Sequence, residues 1–423
     1  MIRFDPSPKH ARYCLSVCLL CASMNIQADS SLKVSGFATV GFSYENEDEL
    51  GLFRDNTQHK DPDRDFSLLT DSQLGLQASY RFNPKWHATT QLVVADKAEY
   101  DFDSATEWAF VGYSPVPDID IRAGRIAVDM FQLSDVRRVD YTFLWVRPPT
   151  EMYGWIVPYS IDGIDVAKAF EIQQVYMRAK LQYGSTKPVI QVPDGSQEFE
   201  TEFDDLAIAS LTGEYRDWSA RISYAHFRTA GMNDEFRALT DVFAGIGNMP
   251  GPVGAEASLF ASGFEDSFSA NVDYYQLGLN YDDGLRIFNI ELAKLKSEAS
   301  IMPTGNAGYV SLGHRFGSLT PFVVYSAFQP DRDLVNSSAD WSMMPGGEGL
   351  RDIATSILNG AYLDQYTTSL GLRWDPALRT AVKVQYDRTS ISARGYGLWA
   401  FEDGRQNADS TVDVLSLSVN VIF

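Results

Sequence analysis

Beyond residue 21 the sequence contains no cysteine. The three cysteines of the 423-residue chain, Cys14, Cys18 and Cys21, share one apolar stretch, CLSVCLLCAS. The rest of the chain therefore has no disulfide scaffold, no thiolate zinc site and no catalytic thiol. Long hydrophobic runs are also missing. No stretch after the leader approaches the ~18 consecutive apolar residues of a membrane helix. Basic residues are scarce, 35 against 56 acidic ones, and the formal charge is −21. A nucleic-acid partner calls for the opposite sign.

What is present begins with a leader. Arg3, Lys9 and Arg12 precede the apolar run, and NIQA followed by DSS closes it. A basic start, a short apolar stretch and a small residue at a cut point make a secretory signal, residues 1–28, cleaved after Ala28. CLLC is a poor lipoprotein box, because Leu20 before Cys21 is bulky. An exported chain without a membrane helix is either a secreted globular protein or a membrane β-barrel, whose strands leave no hydropathy peak.

Period-two alternation runs through the chain. In TVDVLSLSVNVIF, Leu415, Leu417, Val419, Val421 and Phe423 alternate with Ser416, Ser418 and Asn420. DSQLGLQASYRF, VYMRAKLQY, YTTSLGLRW and LRTAVKVQYD follow the same rule. The connections alternate in length. Short turns fall near 83–84, 114–118, 173–174, 216–218, 282–284, 316–318 and 375–377. Longer loops fall at 46–65, 130–163, 185–203, 231–268, 300–305, 330–363 and 391–410, with a very short second one at 101–103. These divide sixteen strands, an even number with both ends on the short-turn side. The expected fold is an all-β transmembrane antiparallel β-barrel of 16 strands, occupying 29–423. LKVSGFATVGFSY must pair with the last strand, because lipid cannot satisfy an open edge. NDEFRALTDVFAGIG and GLRDIATSILNGAYL read as helices in the fifth and seventh loops. Strand pattern starts at Leu32, so no plug domain ahead of the barrel is expected.

The signal, the sixteen alternating segments, the strand ending in Phe423 and the long loop after the fifth strand resemble the Gram-negative general-diffusion porins over essentially the whole mature chain. More narrowly, AGR at 123–125 followed by WVRPP at 145–149 resembles a group of proteobacterial porin-like proteins. The resemblance implies an outer-membrane location among lipids and lipopolysaccharide, a homotrimer, and a third long loop folded inward to narrow the pore. It also implies that Phe423 carries a signal for the barrel-assembly machinery. Loop 130–163 departs from the enterobacterial pattern in lacking a PEFGG-type acidic motif, and the second loop is too short to latch a neighbour.

Within FLWVRPPTEMYGW, residues 143–155, the paired prolines fix φ at two positions and exclude helix interior or central strand. With Arg137, Arg138, Asp140, Arg147 and Glu151, this loop reads as the pore constriction, with the alternative that it packs outward. Alternation sends Lys33, Arg81, Arg122, Arg178, Lys180, Arg221, Arg315, Arg373, Arg379 and Lys383 to the lumen wall, with fewer acids: Asp120, Glu171, Glu291 and Asp387. A charge on the lipid face at mid-depth costs roughly 2–4 kcal/mol. The lumen is then basic and favours anions, unless loop acids pair the bases. Tyr80, Phe82, Trp86, Tyr113, Trp218, Phe316 and Trp374 near the short turns read as an aromatic girdle. No enzyme, cofactor or metal site is expected. His59, His87, His226 and His314 lack metal-ligand spacing. The pairs Ser311/His314 and Ser223/His226 fall on opposite strand faces. DPDRD, with Asp61, Asp63 and Asp65, lacks the glycine and distal glutamate of an EF-hand. The reading is a passive channel for small hydrophilic solutes. Alternatives are a substrate-selective channel with a saturable site, or a poorly conducting barrel acting in adhesion or phage attachment.

Overall fold

Sixteen strands close on themselves. The computed structural model describes residues 31–423 except 48, 156–157, 231–233, 268 and 403–407. The expected signal peptide, 1–28, lies outside the described residues. In chain order the strands are β1 (Leu32–Glu45), β2 (Gln73–Arg81), β3 (Trp86–Ala95), β4 (Thr106–Val116), β5 (Ile119–Ala127), β6 (Ser160–Ile172), β7 (Val175–Thr186) and β8 (Glu202–Tyr215). They continue as β9 (Trp218–Ala230), β10 (Asn271–Asp282), β11 (Arg286–Ser297), β12 (Gly305–His314), β13 (Leu319–Pro330), β14 (Leu363–Ala377), β15 (Thr380–Tyr396) and β16 (Ser410–Ile422). Each pairs antiparallel with its sequence neighbour. β1 pairs on one side with β2 (Gly36↔Leu76) and on the other with β16 (Val40↔Val419), so no edge remains. The two-residue strand Phe66–Ser67 adds to the rim beside β1.

Alternation decides which way each side chain points. On β16, Leu415 and Leu417 are exposed on the outer surface, while Ser416, Ser418 and Asn420 are fully buried inside. Leu370 and Leu372 on β14, and Val384 on β15, are likewise outward and exposed. An apolar outer belt over a polar interior is the arrangement a bilayer requires. No helix among the described residues is long and apolar enough to cross a membrane.

The short turns are hairpins. Gln173 and Gln174 both have positive φ, 49° and 74°, as a two-residue primed turn demands. The aromatics expected near these turns do face outward there. Tyr80 packs on Phe82 at 4.9 Å, Trp86 on Tyr113 at 4.6 Å and Trp218 on Tyr281 at 4.6 Å.

A second belt, not legible in the sequence, lies at the long-loop end. There an outward tyrosine donates to an aspartate of the next strand, which also meets a basic side chain. Tyr183 and Arg228 share Asp205, each at 2.7 Å. Tyr224 donates to Asp273 at 2.7 Å, and His226 lies 3.0 Å from that carboxylate. Tyr386 donates to Asp413 at 2.7 Å, with Arg388 at 3.7 Å.

Two expectations are corrected. The second long loop is not 101–103 but everything between Ala95 and Thr106, including a four-residue helix, Phe102–Ala105, capped by Asp101. Its first residues leave the ladder because Asp96 bonds Arg64 and Lys97 bonds Glu107. The fifth loop holds two helices, α1 (Asp234–Gly247) and α2 (Pro252–Glu265), where one was expected. The expected helix of the seventh loop, α3 (Gly347–Asn359), packs on α2. Phe243, Phe260, Phe264, Trp341, Ala354 and Leu358 form the core of this outer cap. Glu256 ties it together, accepting from the backbone N–H of Ser338 and Ala339 and from Trp341 Nε1 at 2.5, 2.7 and 2.9 Å.

Candidate functional site: the third loop and the inward wall

The connection between β5 and β6 starts and ends together, Val128 N–H donating to the Tyr159 carbonyl at 3.1 Å. Between these points it packs against inward-facing side chains of every strand from β7 to β16. The contacts begin with Asp129, whose N–H donates to Gln182 of β7 at 2.9 Å and whose carboxylate accepts from Ser210 of β8. Ser223 of β9 donates to the Met130 carbonyl, and Gln132 N–H donates to Glu291 of β11 at 2.8 Å.

FLWVRPPTEMYGW is almost entirely buried. Trp145 Nε1–H donates to Ser311 at 2.9 Å, and Val146 N–H to Gln385 at 2.9 Å. Arg147 donates two bonds to Asp71, at 2.9 and 2.5 Å, one to Asp387 at 3.1 Å and one to Ser416 at 2.6 Å. The prolines end the extended run. Pro149 sits at the N-terminus of a one-turn helix, Thr150–Tyr153, and its carbonyl accepts from Met152 and Tyr153 at 3.1 and 3.0 Å. That turn aims Glu151 at the wall, where it accepts from Ser326 and Gln365, each at 2.6 Å, and from Thr367. Tyr153 donates to Glu291, and Trp155 packs on Tyr274 and Phe328, each at 6.0 Å. The aromatics join one apolar cluster with Phe131, Tyr309 and Phe328.

The other charges of the loop are also engaged. Asp140 takes a forked pair from Arg54 of the first long loop, at 3.1 and 2.6 Å. Arg137 donates to the Tyr153 carbonyl at 2.6 Å, and Arg138 to Glu107 at 3.1 Å. Both guanidinium groups stack on Tyr159, at 3.9 and 3.5 Å from the ring centre. Tyr159 in turn donates to Asp55 at 2.5 Å. Burial alone pushes the Asp55 carboxyl up, but Arg138 and Arg137 outweigh it and hold the group at about 2.

Of the ten basic residues assigned to the wall, five are paired with acids. Arg122 meets Asp165 at 3.0 Å, Lys180 and Arg221 meet Asp129 at 3.2 and 2.9 Å, Arg315 meets Asp282 at 2.7 Å, and Arg373 meets Asp375 at 2.8 Å. Lys383 is fully buried and donates to the Asp140 and Trp145 carbonyls at 2.5 and 2.6 Å. Among the described residues, Lys33, Arg81 and Arg178 have no acid within 4.0 Å. Arg379 is not on the wall: with φ of 63° it sits in the turn between β14 and β15, because β14 runs on to Ala377. Of the inward acids, Glu291 and Asp387 meet the third loop, while Asp120 accepts from Ser114 at 2.8 Å. Phe423 pairs with Gly36 through both backbone bonds at 2.9 Å, and its ring covers that glycine, where a Cβ would lie 2.5 Å away.

Sequence reasoning missed the first long loop. Leu50, Leu52, Phe53, Arg54, Asp55 and Gln58 are all buried. Gly51–Leu52 forms a two-stranded ladder with Trp399–Ala400 of the last loop. The apolar triplet in ELGLFRD was the available signal in an otherwise charged stretch. Ser311 and His314 point to opposite faces, Ser311 to Trp145 and His314 to Phe316 at 4.5 Å. Asp61, in DPDRD, lies 3.6 Å from Arg64.

A closed sixteen-strand antiparallel barrel with an apolar outer belt is a fold of the outer-membrane porin type, and solved structures bear out that class. The chain is similar to the anion-selective porin from Comamonas acidovorans, at 13% identity over 93% of this chain and 100% of that one, with a TM-score of 0.54. It is similar to the outer membrane channel DcaP of Acinetobacter baumannii, at 9% identity over 94% of this chain and 99% of that one, TM-score 0.53. It is also similar to OmpF of Salmonella typhi, solved as a complex with daunomycin, at 13% identity over 95% of this chain and 100% of that one, TM-score 0.53. Likeness at such identities establishes the fold alone. No family model and no curated protein matches the chain, so the narrower likeness carried by AGR and WVRPP has no sequence support.

Proposed function

We propose that the protein is an outer-membrane channel through which small hydrophilic solutes diffuse down their gradients, and that segment 130–163 lies in the lumen as its constriction. The observation that carries the reading is the bonding of that segment to the inward, polar faces of β7 to β16. Arg147 and Glu151 are its main polar anchors on the wall. The same reading has residues 1–28 removed on export, Phe423 read by the barrel-assembly machinery, lipopolysaccharide and lipid around the belt, and three copies associating. A preference for anions is supported by Lys33, Arg81 and Arg178, the inward bases without an acid partner among the described residues. The pairing of the remaining bases weakens that preference.

The test is current through planar bilayers and swelling of liposomes in solutes of graded size. Discrete current steps and size-dependent swelling are expected. A reversal potential shifted toward the cation would remove the anion preference, and saturable block by one solute would favour a selective channel. One observation favours a second reading, a poorly conducting barrel used for attachment: the outer face carries a three-helix cap with its own core. Absence of current at any voltage would establish that reading over the first.

A further inference from the structure

We infer that the barrel rests closed, and that segments 50–58 and 398–400, from the first and last long loops, form a hatch latched onto the third loop by Arg54 and Asp140. The inference rests on the channel reading above.

A continuous water path must leave a file of accessible inward side chains from end to end. Here every one of the sixteen strands presents at least one inward side chain that is nine-tenths or more buried. Thr39 on β1, Gln91 on β3, Asp165 on β6, Gln276 on β10, Ser369 on β14 and Ser416 on β16 mark the circuit. What covers them is a layer of apolar side chains, Trp145, Tyr153 and Trp155 among them, interleaved with paired charges such as Arg147; the apolar part of such a constriction closes a pore by excluding water. Toward the short turns of β1, β2, β7 and β8 the inward residues Lys33, Arg81, Arg178 and Glu214 are exposed again and line a vestibule, while Thr320, Ala381 and Asn420 near the turns of β13, β15 and β16 stay buried.

The layer has two tiers from different parts of the chain. The floor is the third loop. The hatch above it is Leu50, Leu52 and Phe53 with Leu398 and Trp399, joined by the ladder Gly51↔Ala400 and Leu52↔Trp399. Polar contacts hold hatch to floor at a few points. Arg54 forks onto Asp140 and donates to the Arg137 carbonyl at 3.2 Å, and Asn56 N–H donates to the Gly154 carbonyl at 2.9 Å. Tyr159 reaches Asp55 at 2.5 Å. None of these bonds belongs to the barrel ladders, so the hatch can lift with all sixteen strands intact. A buried ion pair is a suitable latch, since its attraction is largely offset by the desolvation it requires. The ion pair itself then adds little to the closed state, whose support is mainly the burial of Leu50, Leu52, Phe53, Leu398 and Trp399.

The experiment uses the chain from residue 29 onward in planar bilayers. Wild type is expected to stay closed for most of the record, with brief openings under voltage. Arg54→Ala, which strands the buried Asp140 carboxylate, is expected to raise the open fraction about tenfold or more, and the neutral pair Arg54→Gln with Asp140→Asn to bring it back toward wild type. Residues 29–423 contain no cysteine, so Asn56→Cys with Gly154→Cys introduces a single thiol pair joining hatch to floor. These residues share a backbone hydrogen bond at 2.9 Å, and residues so bonded sit about 5.5 Å apart at Cα, within disulfide reach. Oxidised, this variant should be shut; reduced, it should open at least as often as wild type, and circular dichroism of both forms verifies the barrel. Steady wild-type current without closures overturns the gate and leaves the channel reading standing, as does equal current from the oxidised and reduced forms. Silence from every protein at every voltage overturns the channel reading and the gate with it.

Discussion

Replacing Arg147 by alanine is the most informative single change. Its guanidinium bridges Asp71, Asp387 and Ser416 through four hydrogen bonds, all at sites 8% exposed or less. Removing it leaves two carboxylates facing each other without a cation. Breaking a buried pair by deleting one partner costs about 3–5 kcal/mol, because the remaining charge is stranded. At 1.4 kcal/mol per tenfold, the population with the third loop off the wall should grow roughly 10²- to 10⁴-fold. Barrel ladders are untouched, so the loss should appear first as current: longer or more frequent open periods in bilayers, with strand content by circular dichroism unchanged. The apparent melting temperature in detergent should also fall. A companion variant, Arg147→Met with Asp71→Asn and Asp387→Asn, removes all three charges together and should recover most of the closure, since neutral replacement of a buried ion cluster is often tolerated. The reasoning is refuted if R147A matches wild type in both current and melting, or if the triple variant is as leaky as R147A.

Three further outcomes follow from the geometry. Glu256→Gln removes an ionised acceptor from two backbone N–H groups and an indole; charge-assisted bonds of this kind are worth about 1.5–3 kcal/mol each, so the cap should loosen, read by Trp341 fluorescence and protease cutting near 331–346, with the barrel intact. The carboxyls of Asp55 and Glu256 are both held at about 2, below ordinary values of 3.8 and 4.5. Folded values below unfolded ones mean that the stabilisation is full above the ordinary value and is lost as pH falls toward the folded one. Open fraction should therefore rise, and the cap loosen, only below about pH 4.5; a gate insensitive to pH 3 would count against the Asp55 contact. Gly36→Val places side-chain atoms where the Phe423 ring and the Gly75 carbonyl already lie, 2.5 and 2.7 Å from the Cβ position; slower and less complete folding into detergent micelles is expected, measured by the shift of the folded band on gels.

The barrel was legible because each strand residue has only two environments. A side chain at 415 or 417 meets lipid, and one at 416 or 418 meets the interior, so period two survives however remote the partner strand is. Loop-length alternation was legible for a similar reason, since only one end carries long connections. Errors came where a strand ended without a change of pattern. Asp96 and Lys97 continue the alternation but are drawn away by Arg64 and Glu107, which no local pattern announces. Asp375 reads as a turn residue, yet Arg373 holds it and β14 extends two residues further. α2 was overlooked because proline and glycines dominate its start, although Ala257, Phe260, Ala261 and Phe264 keep helical spacing. The burial of the first loop was invisible for a different reason: its partners Asp140 and Trp399 lie far along the chain, and only the fold brings them together.

The charge balance ties these findings into one constraint. A chain of net charge −21 whose alternation assigns ten bases to the lumen looks contradictory until the pairs are followed. Arg122, Lys180 and Arg221 are neutralised on one side of the barrel by Asp129 and Asp165, and Arg373 on the other by Asp375. Lys383 is consumed by two carbonyls of the third loop. These inward bases thus hold the loop and the wall rather than meeting a passing ion. The cations still facing open space, Lys33, Arg81 and Arg178, belong to the vestibule at the short-turn end. Any selectivity would then be set below the constriction and any closure within it, so the two functions should separate under mutation. Charge reversal at Arg178 should move the reversal potential without changing open fraction, and Arg147→Ala should do the converse. Coupled effects from both variants would mean that one region serves both roles and that the division into vestibule and gate is wrong.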